Sequence, residues 1–487
     1  MKSLTIAGSG TAGLITGLIL RKAFPLLDIT IISSSKIGII GVGEGSTEHW
    51  KMFMDMCDIP LAELLIQTKA THKNGIRFEN WTNHTPDYFH SVSTVSTMTP
   101  FNVYALYNGL IKDGKLLTEN TSSRAMVENK VQVNGMHRNV NQYHFDTFKL
   151  NTYLTNLCQI RGIKFIDAVV EKVSVSSETG EIESVKLDDG QQVYSDFWVD
   201  ATGMARLLLK EVSSTGWKSF SDYLMMDSAI AFPTESDPSG EIRPYTRARA
   251  LSAGWAWEIP TQERRGNGYV YSSAHISEDE AVGEISSLLG REVKPAKSIK
   301  FDPGYLPDMW VKNCVAVGLA SAFVEPIEAT SIGGTIQQAR CLVENLSTYK
   351  TGNTSVQKNF NKKMQLMMEN ILCMISLHYI SDRRDTEMWK DTASLKRPEM
   401  LQEYLELWNE RPPAHSDFIV SGYELFHAPH FYHVANGQGL INKEMSHAML
   451  RSFNIVEEAN KLVHDAKLAQ TDHERIDHAR SLKELQI

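Results

Sequence analysis

The sequence has few cysteines, no surplus of basic residues and no long hydrophobic run, and each shortage removes a class of protein. Its five cysteines, Cys57, Cys158, Cys314, Cys341 and Cys373, are scattered, odd in number and without metal-ligand spacing. That argues against a disulfide scaffold and against a bound metal, and buried thiols in a reducing cytoplasm are expected. With 49 Lys and Arg against 58 Asp and Glu the formal charge is -9, which leaves no basic surface for a nucleic acid. No uninterrupted apolar stretch is long enough to span a bilayer, so no membrane partner is expected. Leu4 to Leu20 resembles a signal peptide in hydrophobicity, but Gly8 to Thr11 breaks its apolar core, and strand, turn and helix describe it better. What remains is ordinary for a globular enzyme: 42% hydrophobic and 22% charged over 487 residues, enough for two or three domains' worth of core.

The first unit is legible in detail. Leu4 to Ala7 is a short apolar strand, Ala12 to Phe24 has helical periodicity until Pro25 stops it, and Asp28 to Ile32 is a second strand. Between the first two lies Gly8-Ser9-Gly10-Thr11-Ala12-Gly13. Gly8 suits a tight turn, Gly10 lets backbone approach a pyrophosphate, and Gly13 permits close helix packing, with the helix N-terminus facing the anion. The acidic residue that usually follows the second strand and binds a ribose is missing, and Ser33 or Ser34 stands there, a weaker hydrogen-bonding substitute.

Later segments decide between NAD and FAD. Residues 164 to 199 read as a β-meander: Lys164 to Val175, a turn at Thr179-Gly180, Ile182 to Leu187, a turn at Asp188-Asp189-Gly190, then Val193. The chain then runs through Phe197-Trp198-Val199-Asp200-Ala201-Thr202-Gly203, which resembles the second FAD motif of the glutathione-reductase-type flavoproteins. A third strand, Cys314 to Ala320 with Gly318 inside it, occupies the usual place of the flavin-contacting segment. Three such elements in this order favour FAD.

The segment Trp255-Ala256-Trp257-Glu258-Ile259-Pro260 narrows the family. With it go Gly41-Val42-Gly43-Glu44-Gly45-Ser46-Thr47, Lys73-Asn74-Gly75-Ile76-Arg77-Phe78-Glu79-Asn80-Trp81, Phe323-Val324-Glu325-Pro326-Ile327-Glu328-Ala329-Thr330 and Gly437-Gln438-Gly439. Over most of residues 1 to about 345 the chain resembles the flavin-dependent halogenases of the tryptophan-halogenase type.

The resemblance implies a reaction in which reduced FAD (FADH2) and oxygen turn halide into hypohalous acid, which travels through the protein to an electron-rich aromatic small molecule. Lys73 then presents the acid, as an ammonium that polarises it or as a desolvated amine that forms a haloamine. Glu328 stabilises the cationic arenium and removes its proton, a task suited to a carboxylate in a low-dielectric pocket. The resemblance assigns the cofactor to Gly8, Gly10, Thr11, Ala12, Gly13, Ser33, Gly41, Val42, Gly43, Glu44, Thr202, Gly203 and Gly318, and the halide to backbone around Thr330 and Ser331. Trp255 and Trp257, on alternate positions of a strand, lie on one face and form a barrier between flavin and substrate. No second nucleotide domain is apparent, so a separate flavin reductase is the expected partner. The rival readings are an aromatic monooxygenase, which needs its substrate beside the flavin, and a non-catalytic FAD-binding protein.

Departures from the family pattern matter too. Ala329-Thr330-Ser331 stands where Ser-Thr-Gly is usual, which is expected to alter the anion pocket and to favour bromide or iodide. In Asp87-Tyr88-Phe89-His90-Ser91-Val92, His90 fits the aromatic platform under the substrate, but Val92 replaces an aromatic, and tryptophan itself is in question as substrate. Met364 to Leu377 reads as methionine-rich core, and Val456 to Leu485 as a charged amphipathic helix or two, serving as a solvated face or a contact in a homo-oligomer. The expected architecture is α/β: a glutathione-reductase-type FAD-binding fold from residues 1–80, 141–205 and 301–345, an inserted sheet layer with its loops from 81–140 and 206–300, and a mainly helical substrate region from 346–487.

Overall fold

The computed structural model describes residues 1–39, 44–91, 99–114, 123–134, 137–138, 140–349, 354–418, 420–472 and 474–486. Gly41, Val42, Gly43 and Val92 lie outside the described residues.

Apolar alternation in Ser3–Ala7 and Asp28–Ser33 produces two strands with a helix, Thr11–Ala23, crossing between them. They pair in parallel, Leu4 beside Ile29 and Ile6 beside Ile31, with all four side chains fully buried. Burial of that kind contributes roughly 1.5–3 kcal/mol per side chain. Among the described residues the sheet has six strands in the order Lys164–Asp167, Asp28–Ser33, Ser3–Ala7, Phe197–Asp200, Cys314–Ala316, Trp310–Val311. All neighbours are parallel except the last pair. The three segments assigned to FAD therefore end at the same edge, side by side.

Two expectations change here. Lys164 to Val175 is two strands. Lys164–Asp167 completes the parallel sheet, while Val170–Val175 pairs with Ile182–Leu187 in a separate antiparallel sheet. The break falls where Ala168 turns inward and its N–H donates to the carbonyl of Ser33. The third segment is strand only from Cys314 to Ala316, and Gly318–Ala320 is a short 3-10 turn.

Among the described residues a second sheet has seven strands, in the order Lys297–Lys300, Ser228–Glu235, Arg264–Tyr271, Gly254–Pro260, Thr246–Ala250, Ile76–Glu79, Asp87–His90. It is antiparallel except where Thr246–Ala250 runs parallel to Ile76–Glu79. Lys73 does not open the strand that follows it. It closes a different one, Thr71–Lys73, in a small sheet with Gln142–Phe145 and Glu44–Gly45. Past residue 346 the chain is mainly helical, with the methionine-rich helix Ser355–His378 burying Met364, Met367, Met368 and Met374. The tail is more than a solvated face: Glu474–Asp477 pairs with Lys130–Asn134, and His478 is buried and accepts from the His72 backbone N–H. No described helix is long and apolar enough to cross a membrane.

Candidate active site

The glycine loop sits where the first strand meets its helix. Gly8 has φ +107 and its N–H donates to Ile32; a Cβ there would lie 2.3 Å from the Ala201 carbonyl oxygen. Gly13 is as constrained, since a Cβ would stand 2.1 Å from the Gly8 oxygen. Only glycine lets the loop, the helix and the Asp200-Ala201-Thr202-Gly203 turn approach this closely. Beside Gly10 the space is open, and the helix starts there with no side-chain cap and no acidic residue in its first turn. Unpaired N–H groups facing open space are what a pyrophosphate requires, so the residues fit FAD. Thr202 is held by Asp200, to which its N–H and hydroxyl both donate, at 3.0 and 2.7 Å. Gly318 packs against Ala12, and Ser33 ends the second strand.

A cavity of about 220 Å³ lies between the helix that follows this loop and the seven-stranded sheet. Thr11, Ala12, Glu44, Gly45, Lys73, Trp255, Trp257, Ala329 and Ser331 are among the residues that line it. The two indoles lie side by side, 6.1 Å between centroids, as the alternation requires. Trp257 rests on Gly268, and the Trp255 Nε1 donates to Glu325 at 3.2 Å. Burial pushes the Glu325 carboxyl up to about 8, and Glu44 up to about 7.

Lys73 is 1% exposed. Its Nζ donates to the Ser46 carbonyl at 2.7 Å, and that carbonyl is fixed by backbone and hydroxyl bonds between Ser46 and Tyr143. The Thr71 hydroxyl ties the same strand to the Pro260 carbonyl at the end of the tryptophan strand. Loss of water brings the ammonium down to about 8, against the opposing pull of Glu328 and Glu48. Lys73 also lines a second void of about 10 Å³, room for one water-sized molecule, with Thr47, Glu48, His90, Glu328 and His430 around it. Gly45 lies between: a Cβ there would be 3.5 Å from both the Lys73 Nζ and the Ala329 Cβ.

Glu328 is 3% exposed, in a turn that ends at Ala329, a residue in the left-handed region at φ 55. Burial alone would raise its carboxyl. His90, whose Nδ1 is 2.9 Å from both oxygens, and His378, whose Nε2 is 2.7 Å from Oε1, outweigh that and hold it well below the usual range. His90 thus does something its sequence context did not indicate: it is a partner of Glu328, with its ring edge-on to His430. Thr330 and Ser331 open the helix Thr330–Leu346, which has no side-chain cap; Thr330 is buried, while Ser331 is exposed on the wall of the larger cavity.

His378, Tyr379, Glu325 and Glu48 were not singled out from sequence. Glu325 had a signal, lying inside a family segment. His378 had none, being 50 residues from Glu328 at the end of a helix that reads as core.

The family model for tryptophan halogenases matches residues 3–452. The chain belongs to the tryptophan halogenase family. This halogenase is 31% identical to tryptophan 7-halogenase RebH of Lentzea aerocolonigenes, over 83% of this chain and 81% of that one. It is 30% identical to tryptophan 6-halogenase SttH of Streptomyces toxytricini, over 84% of each. Its fold superposes on BrvH, a flavin-dependent halogenase from Brevundimonas sp. BAL3, with a TM-score of 0.85, 29% identity and coverage of 100% and 99%. The halogenase is accordingly an oxidoreductase that depends on flavin, halogenates an aromatic substrate and needs a separate flavin reductase.

Proposed function

We propose that the enzyme delivers hypohalous acid, by way of Lys73, to an electron-rich aromatic small molecule held near Glu328, and that it uses bromide or iodide at least as well as chloride. Reduced FAD, once bound, supplies with oxygen the oxidation of halide to hypohalous acid. Gly8, Gly10, Gly13, Thr202, Gly203 and Gly318 hold that cofactor, and Trp255 and Trp257 keep the aromatic away from it. The observation that carries the reading is the position of Lys73, whose side chain borders both the flavin-side cavity and the small void beside Glu328. A buried ammonium there donates a hydrogen bond to the acid and polarises it. The ring carbon bonds the halogen as the halogen–oxygen bond breaks, and the hydroxide leaves as water with a proton from the Lys73 ammonium; Glu328 then takes the ring proton, as the C–H bond breaks and its electron pair restores aromaticity.

The halide preference rests on Ala329 and Ser331. Chloride holds its water most tightly of the three halides and is the hardest to oxidise, so it depends most on a well-formed anion site. Residue 329 offers no hydroxyl, and residue 331 carries a side chain where the family pattern has glycine. Both changes are tolerated better by larger, softer anions. The test supplies FADH2 through a generic flavin reductase to a panel of aromatics with the halides in equal concentration, read by product mass. A clear excess of chlorinated product overturns the preference, and a hydroxylated product independent of halide overturns the reaction.

A further inference from the structure

The Gly437-Gln438-Gly439 turn has no part in the site described so far, yet it reaches Glu328 through two side chains. His378 ends the helix Ser355–His378 and is fully buried. Its Nε2 faces Glu328 Oε1 at 2.7 Å and its Nδ1 faces the Tyr88 hydroxyl at 3.3 Å. The Gln438 amide donates to the His378 backbone carbonyl at 2.8 Å and, at a longer 3.4 Å, to the Tyr88 hydroxyl. Phe78 stacks on the imidazole at 4.6 Å. The turn is pressed against Tyr88, since a Cβ on Gly437 would stand 2.5 Å from that ring.

The protons in this row can be assigned. A carbonyl only accepts, so the His378 backbone oxygen fixes the Gln438 amide with its NH2 toward His378 and Tyr88. The Tyr88 oxygen accepts from that amide, which leaves the phenol proton for His378 Nδ1. A neutral imidazole that accepts at Nδ1 carries its proton at Nε2, and Nε2 faces Glu328. The donors in the row then point toward the carboxylate. We infer that Gln438, Tyr88 and His378 form a row of donors that holds Glu328 ionised and oriented, which makes His378 a positioning residue for proton removal from the substrate.

The inference rests on the proposed role of Glu328. Without the row only His90 opposes burial at Glu328, and burial favours a protonated carboxyl, which cannot accept the substrate's proton. The other ionisable groups around Glu328 are His90 on the strand Asp87–His90, Lys73 on its own strand, and His430 and His433 on the helix Ala428–Gly437, which pack against His90 at 5.3 and 5.9 Å. Glu48 lines the same void from the segment before the helix His49–Met56, and Glu325 lies nearby with the Tyr379 hydroxyl donating to it.

The experiment measures kcat for halogenation against pH, with FAD reduced chemically so that no reductase contributes a profile. His378→Leu removes the donor and is expected to move the acid limb upward by about one pH unit or more, with at least about tenfold loss at pH 6 and a smaller loss at pH 8. His378→Gln keeps an N–H toward Glu328 and is expected to restore most of the activity at pH 6. Tyr88→Phe, which keeps the ring packing, shifts the limb in the same direction by less and keeps the inference testable if His378→Leu does not fold. Equal loss at every pH in all three variants, or no loss, overturns it. Glu328→Gln is the control: full turnover in that variant sinks the role of Glu328, whereas slow turnover with flat His378 profiles sinks only the donor row.

Discussion

At Lys73 burial and two carboxylates pull in opposite directions, and burial wins, bringing the ammonium to about 8. Roughly a tenth of the molecules then carry the free amine at pH 7. If the ammonium presents the acid, product formation falls as pH rises through about 8, while flavin oxidation continues. A rate that rises through the same range assigns the step to the amine. Lys73→Ala is expected to abolish aromatic halogenation and leave flavin oxidation intact; normal product formation by that variant removes the lysine from the mechanism. At Glu328 the expected effect is on turnover alone. Glu328→Gln should slow it about 10²-fold, the usual scale for losing one general base, with FAD affinity unchanged by titration.

Elements bring these residues together, and two are sharply constrained. Gly13→Ala places a methyl 2.1 Å from the Gly8 oxygen, so the helix Thr11–Ala23 must shift away from its strand. The expected result is a loss of about 1–3 kcal/mol in stability by chemical denaturation. FAD affinity should fall at least roughly tenfold, because the helix N-terminus no longer faces the pyrophosphate; unchanged flavin binding by fluorescence titration contradicts that geometry. The helix Thr330–Leu346 carries the halide question. Ser331→Gly restores the family residue on an exposed position and should shift a mixed-halide competition toward chloride at a cost in folding of about 0.5 kcal/mol. If the product ratio does not move, residue 331 does not set the preference.

For the whole molecule the governing expectation is exchange of cofactor. An enzyme that receives reduced flavin from a separate reductase must bind FAD loosely, and Ser33 in place of a ribose-binding carboxylate points the same way. Purified protein should be nearly colourless and bind FAD with micromolar-scale affinity, roughly -8 kcal/mol. Added FAD at about 100 times its Kd should then stabilise the fold by about 2.7 kcal/mol in a thermal or denaturant titration. Stoichiometric FAD retained through purification and reduced by NADH alone would falsify the two-component reading.

The sequence by itself determined the elements whose signals are local. The glycine loop with its flanking strand and helix, the Asp200-Ala201-Thr202-Gly203 turn and the side-by-side Trp255 and Trp257 follow from spacing over a few residues, because turn sterics and strand alternation act at that range. The residue types of Lys73 and Glu328 were legible as well, through the segments around them. Their surroundings were not. Tertiary structure alone decided that Lys73 closes a strand of a small sheet, that Lys164 to Val175 divides between two sheets, and that His90 and His378 meet on Glu328 from 238 and 50 residues away. The ionisation of a buried carboxylate depends on partners only folding can deliver, since the cost of desolvating it and the donors that offset that cost both come from distant parts of the chain.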